Sequence, residues 1–438
     1  MTAGQGTPGT AGQGAHGTAG HPAHGHRHAD APGELTSVDA HLADILARIR
    51  PLQPTELGLA EAEGCVLAED ITARSPLPSF DNSAMDGYAV RSADLAGASE
   101  DSPVTLPVTG EVAAGDTGAY AVAPGTCVRI TTGAMLPAGA DAVVPVELTD
   151  GGLARVTIRI SAEPGDAVRV RGGDTQAGQV LLRAGTRLGP MQIAVVAASG
   201  RGRALVRPRP RAVVLSTGSE LTEPGSPIVP GKIWDSNSFM LAAAAREAGC
   251  LAYRQAIVPD DPVQMMPAIE DQLVRADLLI TSGGVSMGGE HDVVKETLAR
   301  LGTVRFRKVA IQPGMPQGFG TVGEEHTPIF TLPGNPVSAF VSFQVFVRPA
   351  LGALQGDGTR RLPSVRAALT GPLRSPPGKR AFLRGSLDSK AGTVTPLSGQ
   401  GSHQVTTLGR ANALIVVPEW VVHMDEGDTA DVLCLPGW

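Results

Sequence analysis

The chain has 438 residues, of which 42% are hydrophobic and 18% charged. At roughly 150 residues per domain this length excludes a single small binding module, and the apolar content excludes disorder throughout. A formal net charge of -7 excludes a global attraction for nucleic acid or an anionic membrane.

Residues 1–33 are almost entirely Gly, Ala, Thr, Pro, Gln and His and read as a disordered tail outside the fold. Its run His24, His26, His28 is either a weak metal-capture segment or a solvated low-complexity stretch. A helix starts at Thr36 or Ser37, carries Val38, Leu42, Ile45, Leu46 and Ile49 at near-helical spacing, and ends before Pro51. A second helical stretch is expected over 57–68. After Asp70 the runs 104–108, 127–131, 142–146 and 155–160, separated by Gly and Pro, read as β structure. Residues 188–199 read as a buried helix, and Arg207-Pro208-Arg209-Pro210 as a stiff connector.

From residue 211 onward strands alternate with helices. The expected strands are 212–216, 251–258, 278–282, 304–311 and 328–332, and the expected helices 236–248, 262–275, 292–301 and 337–350. Continuous apolar strands between helices predict a doubly wound, mostly parallel sheet. The remainder, 362–438, has short strand-like runs such as 413–417 and predicts a small β domain. Cys65, Cys127, Cys250 and Cys434 lie far apart with no CxxC pair, which points to neither a zinc site nor a disulfide framework and fits a reducing cytoplasm. The start lacks a basic segment followed by an apolar run, and no 18 consecutive apolar residues occur, so a soluble intracellular protein is expected.

Three of the expected strands end in a glycine loop leading towards a helix. They are Thr217-Gly218-Ser219-Glu220, Ser282-Gly283-Gly284-Val285-Ser286, and Pro333-Gly334-Asn335-Pro336-Val337-Ser338. In a parallel sheet such loops share the carboxyl edge, where backbone N–H groups, hydroxyls and helix N-termini bind anions such as phosphate. Each alone also reads as an ordinary turn. In the third loop Pro336 suits the first helical position, Asn335 the N-cap, and Ser338 adds a hydroxyl in the first turn. The β region holds Phe80-Asp81-Asn82-Ser83-Ala84-Met85-Asp86-Gly87, whose carboxylates, amide and hydroxyl either hold a hard cation or satisfy their own backbone in Asx turns. Lys308 lies on an expected strand, either facing a ligand or at a sheet edge. Asp292 and Lys295 open an expected helix beside the presumed anion pocket.

The ordered segments FDNSAMDGYAV (80–90), RITTGAMLP (129–137), ADAVVPVE (140–147), LITSGGVSMG (279–288), KVAIQPGMPQGFG (308–320) and LPGNPVSAFVSF (332–343) resemble the molybdopterin molybdenumtransferase family, MoeA, related to the E domain of gephyrin. The resemblance runs from about residue 34 to the C-terminus. It implies a discontinuous helical linker domain (34–70 and 170–205), a β-rich inserted domain (71–169), a molybdopterin-binding α/β domain (206–355) and a C-terminal β-barrel domain (356–438). It further implies a homodimer whose active site lies between the α/β domain of one subunit and the β-rich domain of the other. The implied reaction is insertion of molybdate into adenylylated molybdopterin with Mg²⁺, releasing AMP and yielding molybdenum cofactor. The adenylyltransferase that makes this substrate and the apo-molybdoenzymes that take the product are the implied protein partners.

By that resemblance Asp86 is the essential carboxylate and, with Asp292, a metal ligand; Lys308 is the second catalytic candidate. Asn82, Ser83, Thr132 and Gly133 shape the same cleft. Ser282, Gly283, Gly284 and Ser286 hold the molybdopterin phosphate, and Pro333, Gly334, Asn335, Pro336 and Ser338 line the pterin or molybdate position. The chain departs from the family at Gly173, Ser219, Gln312 and Met315, where two acids and two lysines are usual. Those departures motivate a competing reading as a molybdopterin carrier or scaffold without insertion activity. A stand-alone adenylyltransferase resembles the α/β domain alone, so the long β-rich insertion argues against that third reading.

Overall fold

The computed structural model describes Met1 and residues 35–259, 261–284, 297–298, 303–358 and 360–436. The first helix, Val38–Leu46, begins as expected: Ser37 is its N-cap, with Oγ accepting from the Ala40 N–H at 3.1 Å. Its apolar stripe, Val38, Leu42 and Ile45, is buried in the largest core cluster.

The expected helix over 57–68 does not form. Strand Thr55–Gly58 pairs with strand Arg203–Arg207, which also pairs with Val66–Leu67, and turns lie between the first and last. Gly64, at φ 75°, takes a conformation that a helix interior cannot hold, and the Glu61 carboxylate accepts the Gly58 N–H instead of facing solvent on a helix. Pairing with a segment about 140 residues away overrides local propensity. The helix Pro190–Ala198 does form near 188–199, but only Val196 on it is buried and Met191 is 76% exposed.

Residues 87–158 form a five-stranded sheet in the order Ala142–Pro145, Gly87–Val90, Cys127–Ile130, Val104–Val112, Arg155–Ile158. Tyr88, Val90, Leu106, Val144, Val156 and Ile158 fill one side, while Ala89, Val112, Val128, Ile130 and Val143 fill another cluster, as alternation across a sheet requires.

The α/β region is built on a six-stranded sheet in the order Leu251–Arg254, Arg211–Ser216, Leu278–Ser282, Thr327–Leu332, Pro316–Val322, Arg305–Lys308. The first four strands are parallel and the last two antiparallel, so the sheet is mixed but mostly parallel. Ala212, Val214 and Ile280 point into one core cluster, Val213, Leu215 and Leu279 into another, which is why these strands are apolar throughout. The expected strand 304–311 is broken. Arg305–Lys308 forms the sheet edge, while Ile311–Gln312 leaves to pair with Arg380–Asp388. The long apolar helix at 336–355 passes through a π segment, Phe343–Val347, just before Pro349, whose missing N–H cannot continue an α ladder. It is long enough to cross a membrane, but 83% of its most apolar window is buried inside the protein.

The C-terminal region closes into a five-stranded barrel. Strands Arg380–Asp388, Thr393–Pro396, Ser364–Leu369, Thr429–Cys434 and Ala413–Val417 pair in that order, and the last returns to the first.

Candidate active site

Strands Arg211–Ser216, Leu278–Ser282 and Thr327–Leu332 run parallel, so their following loops emerge at one sheet edge. There they wall a cleft of about 620 Å³, reached by Ser216, Thr217, Asp235, Asn237, Ser282, Gly283, Gly334, Asn335 and Pro336. The loops are packed closely. A Cβ at Gly283, where φ is 104°, would lie 2.4 Å from the Thr217 carbonyl oxygen, so only glycine fits. Asn237, at the start of helix Asn237–Glu247, ties two loops together: its Nδ2 donates to Ser282 Oγ at 2.8 Å and to the Gly334 carbonyl at 2.6 Å. Its Oδ1 is buried and has no partner among the described residues.

Beneath this rim Asp235 is 1% exposed. Its carboxylate accepts from Ser216 Oγ at 2.9 Å, from Ser238 Oγ at 2.5 Å and from the Ser238 N–H at 3.1 Å. Arg254 stands 3.9 Å away, with its Nε donating to Ser238 Oγ and its guanidinium 3.6 Å over the Phe239 ring. A buried carboxylate with this many donors is fixed in place and fixes the strand-to-helix turn that carries Asn237.

Asn335 occupies the N-cap position of helix Pro336–Ser342, but its side chain does not cap it. The Asn335 Nδ2 donates instead to Ser402 Oγ at 3.1 Å, and the Val337 N–H donates to the Ser402 carbonyl at 3.1 Å. The barrel thereby reaches the α/β cleft and brings His403 to its lining. Arg384, 1% exposed on the outer face of the barrel strand Arg380–Asp388, donates to the carbonyls of Gly399 and Gly401 and holds the loop that presents Ser402 and His403.

The second cluster lies in the β-rich region. Asp86 is exposed, and Thr132 grips one of its oxygens: the Thr132 N–H donates to Oδ1 at 2.6 Å and the hydroxyl to the same atom at 2.8 Å. These donors, the backbone one first, and the nearby Arg129 charge hold the Asp86 carboxyl below the usual aspartate value. Gly133, at φ 81°, makes the turn, with its N–H donating to the Ser83 carbonyl. Asn82 and Ser83 are buried. Asn82 Nδ2 donates to the Phe80 carbonyl, Ser83 Oγ donates to the Met85 carbonyl, and both side chains serve the loop's own backbone.

The structure therefore assembles Ser282, Gly283, Gly334, Asn335 and Pro336 in one cleft and Asn82, Ser83, Asp86, Thr132 and Gly133 in another place. Gly284 and Pro333 flank the cleft-lining residues in sequence, and Ser338 is buried in the first turn of its helix. Lys308 is the exposed last residue of the edge strand and does not line the cleft. Ser286 and Asp292 lie outside the described residues. Asp235, Asn237, Ser402 and His403 were not legible as site residues, because a lone Asp or His carries no periodic signal and their importance comes from neighbours distant in sequence.

Known proteins align along nearly the whole chain. Residues 36–200 match the MoeA N-terminal region (domain I and II), 213–353 a probable molybdopterin binding domain, and 366–435 the MoeA C-terminal region (domain IV). The chain belongs to the MoeA family. Molybdopterin molybdenumtransferase 2 of Mycobacterium tuberculosis strain H37Rv is 46% identical over 404 residues, covering 91% of this chain and 99% of that protein. Molybdopterin molybdenumtransferase of Nostoc sp. is 36% identical over 400 residues, covering 90% and 92% respectively. The crystal structure of the molybdopterin biosynthesis MoeA protein from Pyrococcus horikoshii superposes with a TM-score of 0.77 at 32% identity, covering 92% of this chain and all of that one. Within the MoeA frame the three glycine loops belong to the molybdopterin-binding match, and Asp86 and Thr132 to the N-terminal match.

Proposed function

We propose that this chain is a molybdopterin molybdenumtransferase of molybdenum cofactor biosynthesis, inserting molybdate into adenylylated molybdopterin and releasing AMP. The observation that carries the reading is the convergence of three glycine loops on one cleft in a chain that matches MoeA from end to end of its fold. Backbone N–H groups and the Ser282 hydroxyl at the carboxyl edge bind the substrate phosphate, and the loop at 333–338 lines the pterin or molybdate position. The carrier reading has less support, since relatives at 36–46% identity are named as transferases.

Asp86 is the proposed catalytic carboxylate. Thr132 engages its Oδ1 and favours its ionised form, which leaves Oδ2 for a cation or an activated group. Among the described residues no group of three His, Cys, Asp or Glu could cage a metal. One carboxylate nevertheless fits Mg²⁺, which keeps several waters and is bound through one or two carboxylates together with substrate phosphates. When bound there the ion supplies charge neutralisation for the departing adenylate. Asp292 as a further ligand and Lys308 as a source of positive charge remain part of the proposal, as do Gly284 and Ser286 at the phosphate.

Asp86 and the glycine-loop cleft are separate in one chain, which supports a homodimer in which each completes the other's site. Phe80, Met85 and Met135, exposed at 38%, 43% and 47% around Asp86, together with the uncovered helix Pro190–Ala198, leave apolar surface for a second copy. The same reading divides the chain at 34–70 with 170–205, 71–169, 206–355 and 356–438, and places the enzyme in the cytoplasm with an adenylyltransferase and apo-molybdoenzymes as partners.

The test is AMP release from adenylylated molybdopterin with and without molybdate and Mg²⁺, followed by activation of an apo-molybdoenzyme. Molybdate-dependent release with activation is the expected result. Tight binding without release would establish a carrier instead.

A further inference from the structure

The cleft has one wall that the glycine loops do not account for. After Ser216 the chain makes an excursion in which Leu221–Thr222 pairs in parallel with Ile233–Trp234. Trp234 lines the cleft and is 51% exposed, and its neighbour Ile233 is 55% exposed. An indole this open in a cleft is costly to leave against water, since aromatic side chains contribute large apolar area.

The ring is held rather than loose. Trp234 Nε1 donates to the Ser226 carbonyl at 3.2 Å, so its polar atom is satisfied within its own loop and its apolar surface remains for something else. Its backbone is fixed from both sides, by the Ile233 N–H on the Glu220 carbonyl and the Asp235 N–H on the Thr222 carbonyl, each at 2.9 Å. The next residue is the buried Asp235. Three residues after Trp234, Asn237 also lines the cleft, and its Oδ1 is buried without a donor among the described residues. An orphaned amide oxygen there is an acceptor waiting for an N–H.

We infer that Trp234 and Asn237 form a recognition site for a flat, amino-bearing heteroaromatic ring, with the indole stacking on the ring and Asn237 Oδ1 accepting from its amino group. This rests on the proposed transferase reading, whose substrate carries two such rings, adenine and pterin, on either side of its phosphates. Anion binding by the glycine loops is indifferent to what the phosphates carry; Trp234 makes the site selective for it.

Two probes separate the rings: AMP against ribose 5-phosphate for adenine, and 6-hydroxymethylpterin for the pterin. Each is titrated into the full-length protein by isothermal calorimetry, which reads affinity in every variant, while indole emission is followed in parallel. One ring is expected to quench emission in wild type, ribose 5-phosphate is not, and W234L is expected to bind that ring about tenfold more weakly, as loss of a base-stacking contact predicts. W234F, which keeps an aromatic face and the fold, should bind within about threefold of wild type. W420F, altering an indole 80% exposed on the barrel, should leave the quench unchanged. Equal affinity of wild type and W234L for both rings, or a quench that disappears in W420F, overturns the inference. AMP release from adenylylated molybdopterin is measured on the same preparations. Normal release with an unchanged KM in W234L removes the stacking site and leaves the transferase reading; no release in wild type with ring binding still lost in W234L does the reverse.

Discussion

Two carboxylates in this protein are held in opposite ways. Asp235 sits under the α/β cleft, 1% exposed, and accepts from Ser216 and Ser238 with Arg254 close by. Asp86 stands on the β-rich surface, exposed, with one oxygen gripped by Thr132. A buried acid whose lone pairs are occupied holds other groups in place. An exposed acid that is kept ionised but half-engaged is suited to act on a ligand. Comparable residue types therefore support two tasks, set by burial and donors.

Exchanging Asp86 for Asn gives the largest expected effect. Fold and melting temperature should be kept, because the side chain is exposed, while the rate of AMP release falls on the order of a hundredfold or more. Unchanged release would remove the catalytic half of the comparison. Asp235→Ala should behave differently, lowering stability by about 3 kcal/mol in a denaturant titration through the stranded Ser216, Ser238 and Arg254 donors. A melting temperature equal to wild type would show that the buried network is not structural.

His41 sets the pH range in which the two acids can be compared. It packs edge-on to Phe346 at 4.9 Å between ring centroids, and burial, with the Arg307 charge, pushes its pKa down to about 4 against the opposing effect of Asp44. An unfolded His titrates near 6.5, so the unfolded chain binds the extra proton first as pH falls. Stability should be full above about pH 6.5 and decline by up to about 3 kcal/mol as pH approaches 4. His41→Phe should flatten that slope, measured as melting temperature against pH. A smaller effect is expected from Thr132→Val. It removes the hydroxyl donor to Asp86 but keeps the backbone one, so the Asp86 pKa rises and the acid limb of the activity profile moves to higher pH, with turnover at neutral pH reduced only a few-fold. An acid limb that stays in place would mean that Thr132 does not tune Asp86.

Much of this is legible in the residues alone. An N-cap at Thr36 or Ser37, the apolar strands ending at Ser216, Ser282 and Leu332, and the glycine loops after them follow from local rules, because capping, apolar runs and φ > 0 are properties of neighbouring residues. The segment 57–68 misled because its apolar residues suit a helix or a strand, and only the distant partner at Arg203–Arg207 chose between them. For Lys308 the residues alone allow a ligand-facing cation or a sheet edge, and the sheet order, which no local pattern carries, makes its strand an edge.

The sequence by itself determined that the α/β chain would carry three anion-competent loops and that an acid-rich loop would hold Asp86, since both are short-range patterns of residue type. Only the tertiary structure decided that Asp235 would be buried, that Asn237 would join the loops of Ser282 and Gly334, and that the barrel would deliver Ser402 and His403 to their cleft. The hydrogen bonds of Asn237 and Asn335 join residues 45 to 97 positions apart, and their energies arise from desolvation and donor geometry that no stretch of chain possesses until the sheet, the helices and the barrel have packed.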